Sequence, residues 1–199
     1  MVNIAVFISG SGTNLQTLID AVQKKEINGE IKLVISNRKD AYGLERARLA
    51  GIEAKCLRKE ENIIKALEEH NIDLIVLAGY LAIVGENLIN RYPNRIINIH
   101  PSLIPSFCGM GYYGIHVHEA AFKRGVKVSG ATVHFVSNVV DGGPIILQRA
   151  IDISDALSPE EIQQKILINI EHKILVEAVK LYCNDSLKIE NERVIIKGN

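Results

Sequence analysis

Val2-Asn3-Ile4-Ala5-Val6-Phe7-Ile8-Ser9-Gly10-Ser11-Gly12-Thr13-Asn14-Leu15 decides the fold: a continuous apolar run breaks at a glycine-rich polar turn, which opens directly onto a helical pattern. Uninterrupted apolarity marks a strand covered on both faces, as in a parallel sheet. A glycine loop between such a strand and a helix offers free backbone N–H groups and the positive end of the helix dipole to a phosphate. The plainer alternative is a tight strand-to-helix turn. A dinucleotide fingerprint fits poorly, because Leu15 stands where its third glycine belongs and the second strand ends at Ser36-Asn37 without an acid for a ribose. The Gly-Lys-Ser/Thr of a nucleotide-triphosphate loop is missing. What remains is a small phosphate monoester held by Gly12, Thr13 and Asn14.

Outward from this unit the pattern repeats. Apolar runs at Ile31–Ile35, Leu74–Leu77 and Ile96–Ile99 alternate with helical faces: Leu15, Leu18, Ile19 and Val22; then Leu44, Ala47 and Ala50; then Ile63, Ile64 and Leu67. The order βαβαβαβαβ predicts an α/β fold, a doubly wound open twisted sheet with a parallel N-terminal half. Its ligands belong outside the carboxyl ends of the strands. Beyond Pro101 the texture changes. Ser106 to Gly114 reads as a loop, and Lys127–Val136 and Ile145–Ile153 as two antiparallel strands joined through Asp141-Gly142-Gly143-Pro144. Ser158-Pro159-Glu160-Glu161 has the capping serine, first-turn proline and acids of a helix start, and the helix is expected to reach about Tyr182. Leu187 to Ile196 alternates weakly, as a terminal hairpin would.

At 199 residues the chain is expected to form a single domain, 1–199, divided into halves of about 1–99 and 100–199. Lys plus Arg and Asp plus Glu number 23 each, so no net field gathers nucleic acid or an anionic membrane. Cys56, Cys108 and Cys183 fit no metal spacing and read as reduced thiols of a cytoplasmic protein, and no metal-ligand set is found. Val2 to Ile8 is too short to span a membrane. The Asn184-Asp185-Ser186 sequon is set aside as a chance match.

Asn98 and His100 lie two residues apart on the fifth strand, so both face the same way where Pro101 ends the ladder. An imidazole beside an amide donor suits acyl transfer, in which charge grows on a carbonyl oxygen. A histidine satisfying strand-end hydrogen bonds is the alternative. Asp141 shifts the balance, because an acid in the glycine turn placed across the sheet edge from His100 would raise its pKa and orient its ring. His134 is open between a donor behind the site and a core histidine. His116 and His118 belong to the start of a helix.

Asn98-Ile99-His100-Pro101-Ser102-Leu103-Ile104-Pro105, with Asp141-Gly142-Gly143-Pro144, resembles the signature pair of the folate-dependent formyltransferases. Ser9 to Gln16 and Gly43-Leu44-Glu45-Arg46-Ala47 narrow the resemblance to the branch acting on glycinamide ribonucleotide. The resemblance implies a transferase of purine synthesis, with 10-formyltetrahydrofolate as formyl donor and glycinamide ribonucleotide as acceptor. It implies Asn98, His100 and Asp141 as the catalytic trio, with Asp141 keeping His100 protonated. Gly12, Thr13, Asn14 and Glu171 would bind the ribonucleotide, with Glu171 at its ribose. Folate would meet Leu81, Ala82, Ile83 and Val84, then Asn138, Val139, Val140 and Asp141, with Asn98 beside it and Arg58 near its glutamate. The family commonly has arginine where this chain has Ala82, and the segment Leu57 to Asn62 is shorter here. Phe107 to Gly114 resembles a longer loop variant suited to a lid. The protein is expected to be a monomer or homodimer, without nucleic-acid or membrane partners. Two relatives share the chemistry, a tRNA formyltransferase and a formyltetrahydrofolate hydrolase, and each carries an extra domain. A non-catalytic nucleotide-binding module is the remaining alternative.

Overall fold

The computed structural model describes residues 1–198; Asn199, last residue of the single-domain reading, lies outside the described residues. The elements run β1 (Val2–Ile8), α1 (Thr13–Gln23), β2 (Gly29–Ser36), α2 (Gly43–Leu49), β3 (Glu53–Cys56), α3 (Glu60–Glu69), β4 (Leu74–Leu77), α4 (Glu86–Arg91) and β5 (Ile96–His100). They continue with α5 (Ile115–Arg124), β6 (Val128–Phe135), β7 (Ile145–Asp152), α6 (Pro159–Ile166), α7 (His172–Cys183), β8 (Leu187–Glu190) and β9 (Arg193–Ile196). Seven strands form one sheet in the order β3-β2-β1-β4-β5-β6-β7, parallel from β1 to β5 and antiparallel at β5–β6 and β6–β7. The α/β expectation with antiparallel additions is met.

Alternation along β1 shows how the layers assemble. Ile4, Val6 and Ile8 pack with residues of α1, α2 and α7 on one face, while Ala5 and Phe7 pack with residues of α3 and α4 on the other. All five are essentially inaccessible to solvent, which accounts for the unbroken apolar run. The third strand, Glu53–Cys56, has no such run because it closes the sheet edge, and its residues are half-buried or exposed.

The C-terminal helix begins as its sequence predicts. The Glu161 N–H donates to Ser158 Oγ at 3.2 Å, Pro159 takes the first turn, and Glu161 accepts from the Leu157 N–H at 2.7 Å. It does not run through as one α-helix, because a π-helical turn over Leu167–Glu171 separates α6 from α7. Such a turn inserts a residue into the ladder and turns side chains out of register. The weak alternation at the C-terminus is the hairpin β8–β9, turning at Asn191 and Glu192, both with positive φ.

Chain order reverses between β1 and β4, which are neighbours although two helix crossovers lead from β1 away to β3. Loops leaving their carboxyl ends must diverge there, and a crevice opens between them.

Candidate active site

That crevice is a cleft of about 500 Å³. Gly10 to Asn14, after β1, form one end of it. Leu81 to Val84, after β4, and Asn138 to Asp141, before β7, line it, and Asn98 and His100 lie between. Ser9 ties the first two loops together, donating to Asn37 Oδ1 at 2.6 Å and accepting from the Leu81 N–H at 2.8 Å.

His100 is 4% exposed. Its Nε2 donates to the Phe107 carbonyl at 2.9 Å, and its Nδ1 lies 3.5 Å from Asp141 Oδ2. A carbonyl can only accept, so neutral His100 carries its proton on Nε2 and presents a lone pair at Nδ1. Asp141 sits where the turn needs a positive φ of 55° and accepts the Gly109 N–H at 2.9 Å. Behind it Gly143 packs so closely on the Phe135 carbonyl that any Cβ would collide with it. The glycines of the turn thus seat the acid beside the histidine.

The effect on His100 differs from the sequence expectation. Burial pulls its pKa below the ordinary imidazole value, and the Asp141 carboxylate and the Phe107 carbonyl offset only part of that. Desolvation wins because the ring is enclosed by β5, the 107–114 loop and α5. Asp141 is also buried, which pushes its pKa up, but the His134 and His100 rings beside it, whenever they carry a proton on that side, and the Gly109 N–H bring it below the usual carboxylate value. The acid stays charged and the histidine is held neutral.

His134 lies on β6 directly opposite Asn98. Its Nδ1 donates to the Phe135 carbonyl at 2.9 Å, and its Nε2 accepts from Asn98 Nδ2 at 3.1 Å. One amide hydrogen of Asn98 is therefore committed to β6, and the other is left for the cleft.

Asn14 and Glu171, 157 residues apart in sequence, meet through a hydrogen bond from Asn14 Nδ2 to Glu171 Oε2 at 2.8 Å. Glu171 comes from the π-turn, and burial pushes its pKa up to about 7. Asn14 Oδ1 is buried without a partner among the described residues. Two buried polar groups facing a cleft with hydrogen-bonding capacity left over suit a hydroxylated ligand.

Of the sequence-derived site residues, Gly12, Thr13, Asn14, Glu171, Asn98, His100, Asp141, Leu81 to Val84 and Asn138 to Val140 all line the one cleft. Arg58 does not. Its Nε donates to the Asn37 carbonyl at 2.8 Å, and its side chain lines a neighbouring depression behind Ala82 to Val84, with Arg38 and Tyr80. Three features were missed: the loop backbone at Phe107 and Gly109 engaging His100 and Asp141, His118 on the cleft wall with Nδ1 unpartnered among the described residues, and Gln163 and Leu167 lining the same cleft as Gly10 to Asn14. Burial brings the His118 pKa to about 4. Only the density of glycine at 109, 111 and 114 hinted at a backbone role. Among the described residues no three His, Cys, Asp or Glu cluster as metal ligands, and no helix is long and apolar enough to cross a membrane.

The formyl transferase family model matches residues 2–179. Phosphoribosylglycinamide formyltransferase of Haemophilus influenzae is 39% identical, covering 100% of this chain and 95% of that protein. The crystal structure of glycinamide ribonucleotide transformylase 1 from Symbiobacterium toebii superposes with a TM-score of 0.93 at 42% identity, covering 99% of this chain and 94% of that one. A formyltetrahydrofolate deformylase from Pseudomonas syringae pv. tomato reaches a TM-score of 0.90 at 24% identity over 66% of its length, a likeness of fold alone.

Proposed function

Because the chain belongs to the formyl transferase family, we propose that it transfers the formyl group of a formyl-folate, 10-formyltetrahydrofolate, to the amine of glycinamide ribonucleotide in purine synthesis. The observation that carries the reading is that Asn98, His100 and Asp141 share one cleft with the glycine loop Gly10 to Asn14 and with the apolar residues Leu81, Ile83, Val139 and Val140. Leu81 and Ile83, 49% and 71% exposed, with Val139 and Val140, form apolar surface fitted to a flat heteroaromatic group, and the backbone of residues 138–141 offers it hydrogen bonds. The N-terminal half supplies the phosphate loop and the C-terminal half most of the reacting groups. Arg58 keeps a proposed role only at the outer end of the folate, beyond Ala82 to Val84.

The chemistry follows from the hydrogen-bond inventory. The amine nitrogen bonds to the formyl carbon, the carbon–N10 bond breaks, and one proton passes from amine to N10. Negative charge grows on the formyl oxygen, and the free Nδ2 hydrogen of Asn98 meets it. His100 takes the amine proton at Nδ1, and the imidazolium so formed is supported by Asp141, hydrogen-bonds the charged oxygen and then passes that one proton to N10 as the carbon–N10 bond breaks. The proton of His100 is thus gained during the reaction rather than held beforehand. Gly12, Thr13 and Asn14 hold the phosphate, and Asn14 with Glu171 the ribose, fixing the amine near the formyl carbon.

Purified protein is mixed with both substrates and tetrahydrofolate release is followed with and without the ribonucleotide. Release that depends on the ribonucleotide supports transfer. Release without it is hydrolysis, and ribonucleotide binding without release is a binding module; either result refutes the reading.

A further inference from the structure

The motif Gly43-Leu44-Glu45-Arg46-Ala47 has no part in the chemistry above, yet it packs directly behind the phosphate loop. The Gly43 N–H donates to the Gly10 carbonyl at 3.1 Å. Gly12 has φ 72°, and a Cβ on it would stand 2.6 Å from Gly43 Cα. A Cβ on Gly43 would collide with the Ile8 side chain. Two bare backbones therefore meet, which brings the first turn of α2 against the loop.

From that turn Arg46 reaches back. Its Nε donates to the Ser11 carbonyl at 2.8 Å and its Nη1 to Gln16 Oε1 at 3.2 Å, while the guanidinium lies over the Tyr42 ring, 5.1 Å from its centre. In a trans peptide the C=O and the following N–H point in opposite directions. A Ser11 carbonyl turned toward Arg46 therefore turns the Gly12 N–H away from it, toward the cleft that Gly12 lines. No lysine or arginine lines that cleft among the described residues, although the proposed ligand carries a phosphate dianion. Arg46 is the cation bonded to the loop itself, one peptide unit behind the ligand.

We propose that Arg46 is a positioning residue of the phosphate subsite: it fixes the Ser11–Gly12 peptide so that the Gly12 N–H faces a phosphate monoester, and it supplies the positive charge behind that peptide. The proposal rests on the phosphate-loop reading given under the proposed function. A charge-assisted hydrogen bond polarises the peptide it holds and strengthens the donor at its far end.

The test compares wild type, Arg46→Ala and Arg46→Lys on glycinamide ribonucleotide and on the same molecule without its phosphate, with calorimetric binding of inorganic phosphate alongside. Arg46→Ala is expected to raise the ribonucleotide KM about tenfold or more while kcat and the folate KM stay within about threefold, as for loss of one charge-assisted contact. Its kcat/KM on the dephosphorylated substrate should match wild type, and its phosphate affinity should fall in parallel. Arg46→Lys keeps the charge without the fork and should give an intermediate KM. Equal losses on both substrates, an unchanged phosphate affinity, or a wild-type KM in Arg46→Lys would overturn the proposal. Should Arg46→Ala not fold, Arg46→Lys decides. If wild type binds phosphate through Arg46 but shows no ribonucleotide-dependent turnover, the proposed reaction fails and the positioning role stands.

Discussion

His100 turns Nδ1 toward Asp141 Oδ2 at 3.5 Å while its Nε2 is spent on the Phe107 carbonyl. In the proposed reaction the pair divides two tasks. Burial keeps the ring neutral before reaction, and the carboxylate stabilises the cation once a proton arrives. A free imidazole in water would be partly protonated near neutrality, and its protonated fraction unable to take the amine proton.

Asp141→Asn removes the charge and keeps the shape. The imidazolium formed in the reaction loses its partner, so kcat should fall about 100-fold or more while the ribonucleotide KM stays within about threefold. The same change removes an influence that raises the His100 pKa, so any limb of the pH–rate profile assigned to His100 should move to lower pH. A limb moving upward, or loss of ribonucleotide binding alone, would contradict this role.

His134 is expected to act through Asn98, because its Nε2 holds one amide hydrogen at 3.1 Å. His134→Ala should lower kcat about tenfold in wild type and much less in an Asn98→Ala background. Additive losses in this double-mutant cycle would show the two acting independently.

Glu171 links stability to pH. Its folded pKa of about 7 lies above the ordinary carboxyl value of 4.5 expected on unfolding, so between these values the folded state holds a proton that the unfolded state has lost. This contribution is fully present below about pH 4.5 and is lost as pH rises through about 7, a change on the order of 3 kcal/mol. His118, with its pKa brought to about 4, acts in the opposite sense between that value and its ordinary 6.5. The difference between wild type and Glu171→Gln in denaturant titrations isolates the Glu171 part. The variant should gain on wild type steadily from pH 4.5 to 7, and a constant difference would contradict the burial account.

Gly143→Ala forces a methyl group into the Phe135 carbonyl. Overpacking against backbone costs about 1–3 kcal/mol or more, and here it also displaces the turn that carries Asp141. Thermal unfolding should show the lower midpoint and kinetics a reduced kcat. A wild-type midpoint would mean that the turn relaxes freely.

The parallel core was legible because a strand buried on both faces must be apolar throughout, as Ile4 to Ile8 are. Edge strand β3 was not, since Glu53 and Lys55 face solvent enough to carry charge. Asn98, His100 and Asp141 were legible from their types and the turn that carries the acid. The depressed His100 pKa was not, because it depends on how much of the ring the 107–114 loop and α5 enclose, which no spacing encodes. Nor was the π-turn at Leu167–Glu171, where the helical pattern continues and only packing shows the inserted residue. The sequence pointed Arg58 toward the cofactor, and the fold sets it behind Ala82 to Val84 because the Asn37 carbonyl holds it there.

The most direct test supplies formyl-folate labelled with carbon-13 at the formyl carbon and glycinamide ribonucleotide labelled with nitrogen-15 at the amine, and follows the carbon signal by NMR. A new formyl resonance split by direct bonding to nitrogen-15 is expected, appearing with wild type and about 100-fold or more slowly with His100→Ala. Free formate without the split signal, or equal rates for both proteins, would contradict it.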